Sequence, residues 1–143
     1  MVALGISTIA KTEHMRLLYT MLRVQDLERS IEFYTQQLGM KLMRRQDYPE
    51  GRFTLAFVGY GDESTEAVIE LTYNWDPRTY IHGDAFGHIA VGVNDAHETC
   101  KRLMEAGVKI TRPPGPMKAD PHEVIAFIED PDGHRIELVQ HRN

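Results

Sequence analysis

The feature that most restricts this chain is that it repeats itself. "VQDLERS" (24–30) is answered by "VNDAHET" (93–99), "GMK" (39–41) by "GVK" (107–109), "AFV" (56–58) by "AFI" (126–128) and "IEL" (69–71) by "IEL" (136–138), at offsets that stay between 67 and 70 residues. Four matches in one order, with length changes confined to loops, point to a duplicated unit. At 143 residues the chain is one domain's worth of sequence, so the copies are read as two halves sharing a core.

Each copy carries the same element pattern. Residues 18–24 read as a strand; Asp26 then caps a helix whose apolar positions Leu27, Ile31, Phe33, Tyr34 and Leu38 recur at helical spacing, and Gly39 ends it. Three extended segments follow, "KLMRRQDY", "RFTLAFVGY" and "EAVIELTYN", parted by turn residues such as Pro49-Glu50-Gly51 and Gly59-Tyr60-Gly61. The second half repeats this with a strand at 87–93, a helix at 95–106 and strands near 108–112, 123–129 and 134–140. The expected fold class is therefore α+β, two βαβββ modules in tandem over residues 15–80 and 81–143, joined by "YNWDPRTYIHGDA" (73–85). Residues 1–14 lack the basic start, apolar core and cleavage site of a secretion signal and are read as a leader, expected to be poorly ordered.

Composition excludes several function classes. A formal charge of −5 and a pI near 5.8 argue against a nucleic acid partner, whose phosphates call for clustered cations. Cys100 is the single cysteine, so no internal disulfide can form, and no apolar run is long enough to span a bilayer. A cytoplasmic location is expected. No G-x-G-x-x-G opens a helix and no G-x-S-x-G elbow occurs, which removes support for dinucleotide binding and for a serine triad.

If the halves face each other about a pseudo-twofold axis, equivalent residues converge across the cup formed by their sheets. The last-strand pair is Glu70 and Glu137, each the middle of Ile-Glu-Leu; the first-strand pair is Tyr19 and His88. Two carboxylates in an apolar setting repel each other and lose hydration, a loss of several kcal/mol per unpaired ion, unless a cation lies between them. Two carboxylate oxygens and one imidazole nitrogen suit Zn(II), Ni(II), Co(II) or Mn(II) and leave positions for water or substrate. The remaining histidines, His14, His82, His97, His122, His134 and His141, have no ligand spacing to one another.

The stretches "MRLLYTMLRVQDLERSIEFYTQQLGMKLMRR", "TLAFVGYGDESTEAVIELTYNW", "FGHIAVGV" and "VIAFIEDPDGHRIELVQ" resemble the bacterial glyoxalase I (lactoylglutathione lyase) family of the vicinal oxygen chelate superfamily, from about Met15 to Val139. The resemblance implies the glyoxalase/bleomycin-resistance/dioxygenase fold, with sheets forming a cup around a metal site. It also implies isomerisation of the hemithioacetal of methylglyoxal and glutathione to S-lactoylglutathione, in a homodimer whose metal sites lie between subunits. The implied ligands are Glu70, His88, Glu137 and, at the fourth position, Tyr19. The short form is similar to the branch activated by Ni(II) or Co(II) rather than Zn(II). In the implied chemistry the metal polarises substrate oxygens while a carboxylate moves a proton between neighbouring carbons, with Glu137 as the main base and Glu70 as the second carboxylate. Arg23, Asn74, Met117 and Lys118 are the implied contacts of the glutathione arm. The sequence departs from the family pattern twice. "GPMK" continues as "ADPHE" (119–123) instead of a glycine-containing turn, and Tyr19 stands where the family places histidine or glutamine. A phenol with an ordinary pKa near 10 is a poor ligand until it loses its proton. Direct phenolate coordination, a water held by Tyr19 and a weakened site are the alternatives, of which the second is favoured. Two other readings compete with an active isomerase: a glyoxalase-like ligand-binding module with an impaired metal corner, and another chemistry of the superfamily.

Overall fold

The computed structural model describes residues 14–141. Of the expected leader only His14 falls among them, exposed and in no regular element; the rest lies outside the described residues.

The first half runs β1 (Tyr19–Val24), α1 (Leu27–Glu32) leading into a π-helical turn (Phe33–Gln37), β2 (Lys41–Tyr48), β3 (Phe53–Gly59) and β4 (Val68–Asn74). The second runs β5 (Ile89–Val93), α2 (Ala96–Glu105), β6 (Lys109–Pro116), β7 (Val124–Glu129) and β8 (Arg135–Gln140). This is βαβββ twice. Each helix begins at an extended aspartate: the Asp26 carboxylate accepts from the Arg29 amide, and the Asp95 carboxylate from the amides of His97 and Glu98. The sheets are ordered β1-β4-β3-β2 and β5-β8-β7-β6. In both, the first strand lies parallel to the last and the other pairs are antiparallel. Parallel partners need a long connection, which the helix and two intervening strands provide. The outer strands differ in make-up. β2 is exposed along most of its length and carries Lys41, Arg44, Arg45 and Asp47, whereas β6 carries Pro113, Pro114 and Pro116.

The π-helical turn has a sequence cause. Gly39 follows Val24 by 15 residues but Gly107 follows Val93 by 14, so the first helix must house one residue more. It does so where the Leu38 amide donates to the Phe33 carbonyl five residues back, at 3.1 Å. A bulge falls at the same place in each half, between Leu42 and Arg44 and between Ile110 and Arg112.

One face of each sheet is covered. Leu22, Val24, Ala56, Val58, Ile69 and Leu71 from the first sheet join Val91, Ala126, Ile128, Ile136 and Leu138 from the second in a single apolar cluster with helix residues Phe33, Tyr34, Cys100 and Leu103. The halves are further bolted by a polar latch. The Tyr34 hydroxyl donates to Asp130 at 2.7 Å, while the Gln25 amide and Ser30 hydroxyl donate to Asp132 at 2.9 and 3.3 Å. Because side chains alternate along a strand, the residues between the core positions point to the opposite face, and that face carries the candidate site.

Candidate metal centre

Two rows of directly paired residues cross the open faces. In the first sheet Met21, Glu70, Phe57 and Arg44 lie side by side on β1, β4, β3 and β2; in the second, Ala90, Glu137, Phe127 and Arg112 do so on β5, β8, β7 and β6. The duplication thus carries through to register. Tyr19, two residues before Met21, packs edge-to-face on Phe57 with centroids 5.3 Å apart and planes at 81°. His88, two residues before Ala90, does the same on Phe127 at 5.1 Å and 83°. Tyr19 and His88 therefore occupy matching places, each steered by the phenylalanine of its row.

The carboxylates are held differently. Glu70 is buried at 8% exposure, and its Oε2 accepts a hydrogen bond from the Thr72 hydroxyl at 2.7 Å. Glu137 is half-buried, and its Oε1 lies 3.3 Å from His88 Nε2. The row-end arginines also part company. The Arg44 guanidinium sits 3.7 Å above the Phe57 ring and grips the Glu63 carboxylate through Nε and Nη2. Arg112 instead donates to the carbonyls of Pro113, Gly115, Pro116 and Ile125, folding the strand end that leads into residues 117–123. It is Arg135 that lies over Phe127, at 4.9 Å.

The expected ligands consequently appear as two pairs in one chain. His88 and Glu137 are in contact; Tyr19 and Glu70 share the other sheet. Carboxylate oxygens with an imidazole nitrogen are a donor set that fits a borderline divalent cation. Within one chain, however, Glu70 does not join His88 and Glu137 in a cluster with all ligand atoms within 4.8 Å of one another. Of the expected glutathione contacts, Arg23 is exposed on β1, on the face of Tyr19 and Met21, and Asn74 ends β4 with its Nδ2 donating to the Tyr80 hydroxyl at 2.8 Å. Half-buried Met117 and exposed Lys118 begin the turn of the second half, which closes where the Met117 amide donates to the Glu123 carbonyl at 2.7 Å.

A compact group of Asp130, Asp132 and His134 does bring three ligand-type atoms within 4.8 Å of one another. Its oxygens are already engaged: Asp130 accepts from the amides of Asp132 and His134, from His134 Nδ1 and from the Tyr34 hydroxyl, and Asp132 accepts from Gln25 and Ser30. We read it as the latch between halves. Burial alone would raise Asp130, but the hydrogen bond and charge of His134, with the Tyr34 hydroxyl, hold it below the ordinary carboxylate range. Burial opposes the charge on His134, yet the hydrogen bond and charge of Asp130 raise it above the ordinary histidine value. Burial, followed by the Asp130 charge, pushes the Tyr34 phenol up.

Sequence reasoning missed Thr72, the two phenylalanines and the latch. The phenylalanines were visible as the centres of "AFV" and "AFI"; Thr72 could have been flagged as the polar residue two beyond a buried glutamate, on the same strand face.

The profile of the Glyoxalase/Bleomycin resistance protein/Dioxygenase superfamily matches residues 16–138. A lactoylglutathione lyase of Neisseria meningitidis serogroup A is 60% identical over 129 residues, 90% of this chain and 93% of that protein. That of Escherichia coli O157:H7 is 56% identical over 90% of this chain and 95% of its own length. Among solved structures, the V278E variant of glyoxalase I from Zea mays superposes with a TM-score of 0.90 at 41% identity, covering 99% of this chain and 50% of the maize chain. The trypanothione-dependent glyoxalase I of Leishmania major gives a TM-score of 0.79 at 45% identity over 89% of this chain and 87% of its own. This chain belongs to the Glyoxalase/Bleomycin resistance protein/Dioxygenase superfamily, among relatives named lactoylglutathione lyase.

Proposed function

We propose that the protein is a glyoxalase I, isomerising the hemithioacetal of methylglyoxal and glutathione to S-lactoylglutathione. The observation that carries this reading is the repeated row that places Glu70 and Glu137 at the same position of two sheets, with His88 3.3 Å from Glu137. Relatives 56 to 60% identical that bear the name of this activity support it.

In this proposal Glu70, His88 and Glu137 hold a divalent metal, with Tyr19 at the fourth corner. Ni(II) or Co(II) is favoured over Zn(II). When bound, the metal supplies polarisation of the substrate's oxygens. Glu137, the less buried carboxylate, takes the proton from one carbon and returns it to its neighbour; Glu70 stays in place. Arg23, Asn74, Met117 and Lys118 hold the glutathione arm, Arg23 through the planar fork that suits carboxylates. Since one chain offers its ligands as two pairs, the site is completed by a second copy. The maize chain, of which this chain covers 50%, has room for two such units and supports a homodimer here. The same reading treats residues 15–80 and 81–143 as two modules of one domain and the protein as cytoplasmic; among the described residues, no helix is long and apolar enough to cross a membrane.

The test is chelator-treated protein given methylglyoxal and glutathione, with the thioester followed by its ultraviolet absorbance. Turnover restored by Ni(II) or Co(II), and less by Zn(II), is the expected result; no turnover with any of the three overturns the proposal. Tyr19 favours one alternative, a protein that binds the hemithioacetal without converting it. That alternative predicts ligand binding with no rate.

A further inference from the structure

We infer that Thr72 makes the two carboxylates unequal, fixing Glu70 as a stationary ligand and leaving Glu137 as the one that moves the proton. The inference rests on the metal-site reading above and assigns a positioning role within it.

Thr72 and Glu70 are two apart on β4, so their side chains share a face, and both are buried, at 7% and 8% exposure. The hydroxyl donates to Oε2 at 2.7 Å, a short bond to a charged acceptor. Among the described residues no hydrogen bond reaches Oε1, so the carboxylate is pinned by one oxygen with the other left for a cation. A carboxylate tied to a buried donor loses rotational freedom. That loss suits a ligand held in place and handicaps a base that must reach a substrate carbon. In the second half the residue two beyond the carboxylate is Val139, which has no donor. Among the described residues the Glu137 carboxylate meets only the imidazole of His88, at 3.3 Å, and its side chain is 18% exposed, so it can swing toward a substrate carbon. The molecule thus contains its own control: two sheets with matching register, one with a hydroxyl behind the glutamate and one with a methyl.

The experiment exchanges those groups in the full chain. Thr72→Val, Thr72→Ser and Val139→Thr are compared for Ni(II) affinity, by competition with a chromophoric chelator, and for kcat and KM. Thr72→Val should weaken Ni(II) binding about tenfold, and Thr72→Ser should restore it. Val139→Thr should keep the affinity while kcat falls about tenfold at unchanged KM, because Glu137 is now tethered. Melting of the metal-free variants separates site effects from folding, and Val139→Thr alone decides the matter if Thr72→Val does not fold. Wild-type affinity in Thr72→Val, equal weakness in Thr72→Ser, or full turnover in Val139→Thr would overturn the inference. Wild-type protein that binds Ni(II) yet turns nothing over would sink the activity instead, since the affinity measurement needs no turnover.

Discussion

Set side by side, the two half-sites share a skeleton and differ in their attachments. Both place a glutamate between the first strand and a phenylalanine, and both stand an aromatic ring edge-on against that phenylalanine, at 5.3 Å in one half and 5.1 Å in the other. The backbone register and ring packing are thus the duplicated part. What has diverged is the polar chemistry hung on it: phenol against imidazole at Tyr19 and His88, hydroxyl against methyl at Thr72 and Val139, a carboxylate-gripping arginine against a carbonyl-gripping one at Arg44 and Arg112. A pseudo-symmetric scaffold allows this because strand geometry fixes where a side chain points without dictating what it is.

That contrast can be broken at several points. The largest effect is expected at the carboxylates. Glu137→Gln should lower kcat by about 10³ with metal still bound, whereas Glu70→Gln should act chiefly on metal affinity; equal loss of kcat in both would erase the proposed division of labour. Next comes the latch joining the halves. Tyr34→Phe removes a buried hydroxyl bonded to a charged acceptor and should lower stability by about 1.5–3 kcal/mol, read from denaturant melts. An unchanged midpoint would mean that apolar contact alone unites the two modules. Tyr19→His makes the first corner match the second and should tighten Ni(II) binding about tenfold in the same competition assay; no change would show that Tyr19 is no defective corner. Smaller still are the caps. Asp95→Ala and Asp26→Ala should each remove about 1 kcal/mol, the former more, since Asp95 satisfies two amides and Asp26 one.

The latch also gives the pH profile of stability a definite sign. Asp130 is lowered on folding from its ordinary 3.8, so its contribution is present above that value and fades as the pH falls through the folded pKa. His134 is raised from 6.5, so its contribution is complete below that value and is lost as the pH rises through the folded pKa. The joint contribution is greatest between the two, in mildly acidic solution. His134→Gln should therefore flatten the decline of stability toward alkaline pH, as followed by melts across that range.

The repeat made most of this legible in advance. Val-x-Asp, Gly-x-Lys, Ala-Phe and Ile-Glu-Leu each sit where an element begins, ends or crosses the open face, so aligning them amounted to aligning the two sheets. Glu70 and Glu137 stood out because both copies keep a glutamate at the centre of Ile-Glu-Leu, which alternation puts on the face opposite the core in each half. What could not be read was tertiary. Tyr34 was assigned to the helix's apolar stripe, and nothing local reveals that its hydroxyl reaches Asp130, 96 positions away. The π-helical turn hides in a one-residue difference that counting could have exposed, but counting does not say which turn absorbs it. The repeat by itself left the separation of the ligands into two pairs open, because sequence equivalence does not distinguish convergence within a chain from convergence between copies; the family resemblance alone implied sites between subunits.

The contrasting outer strands have a consequence for how this molecule meets others of its kind. An unpaired strand invites ladder-type growth, copy upon copy. Here the β2 rim is studded with Lys41, Arg44, Arg45 and Asp47, and the β6 rim lacks amide hydrogens at Pro113, Pro114 and Pro116, so these two edges, opposite the β1 and β5 edges of the same sheets, discourage such stacking. The exposed apolar side chains Met15, Leu17, Leu18 and Met21 belong instead to the segment that leads into and forms β1, next in sequence to Tyr19.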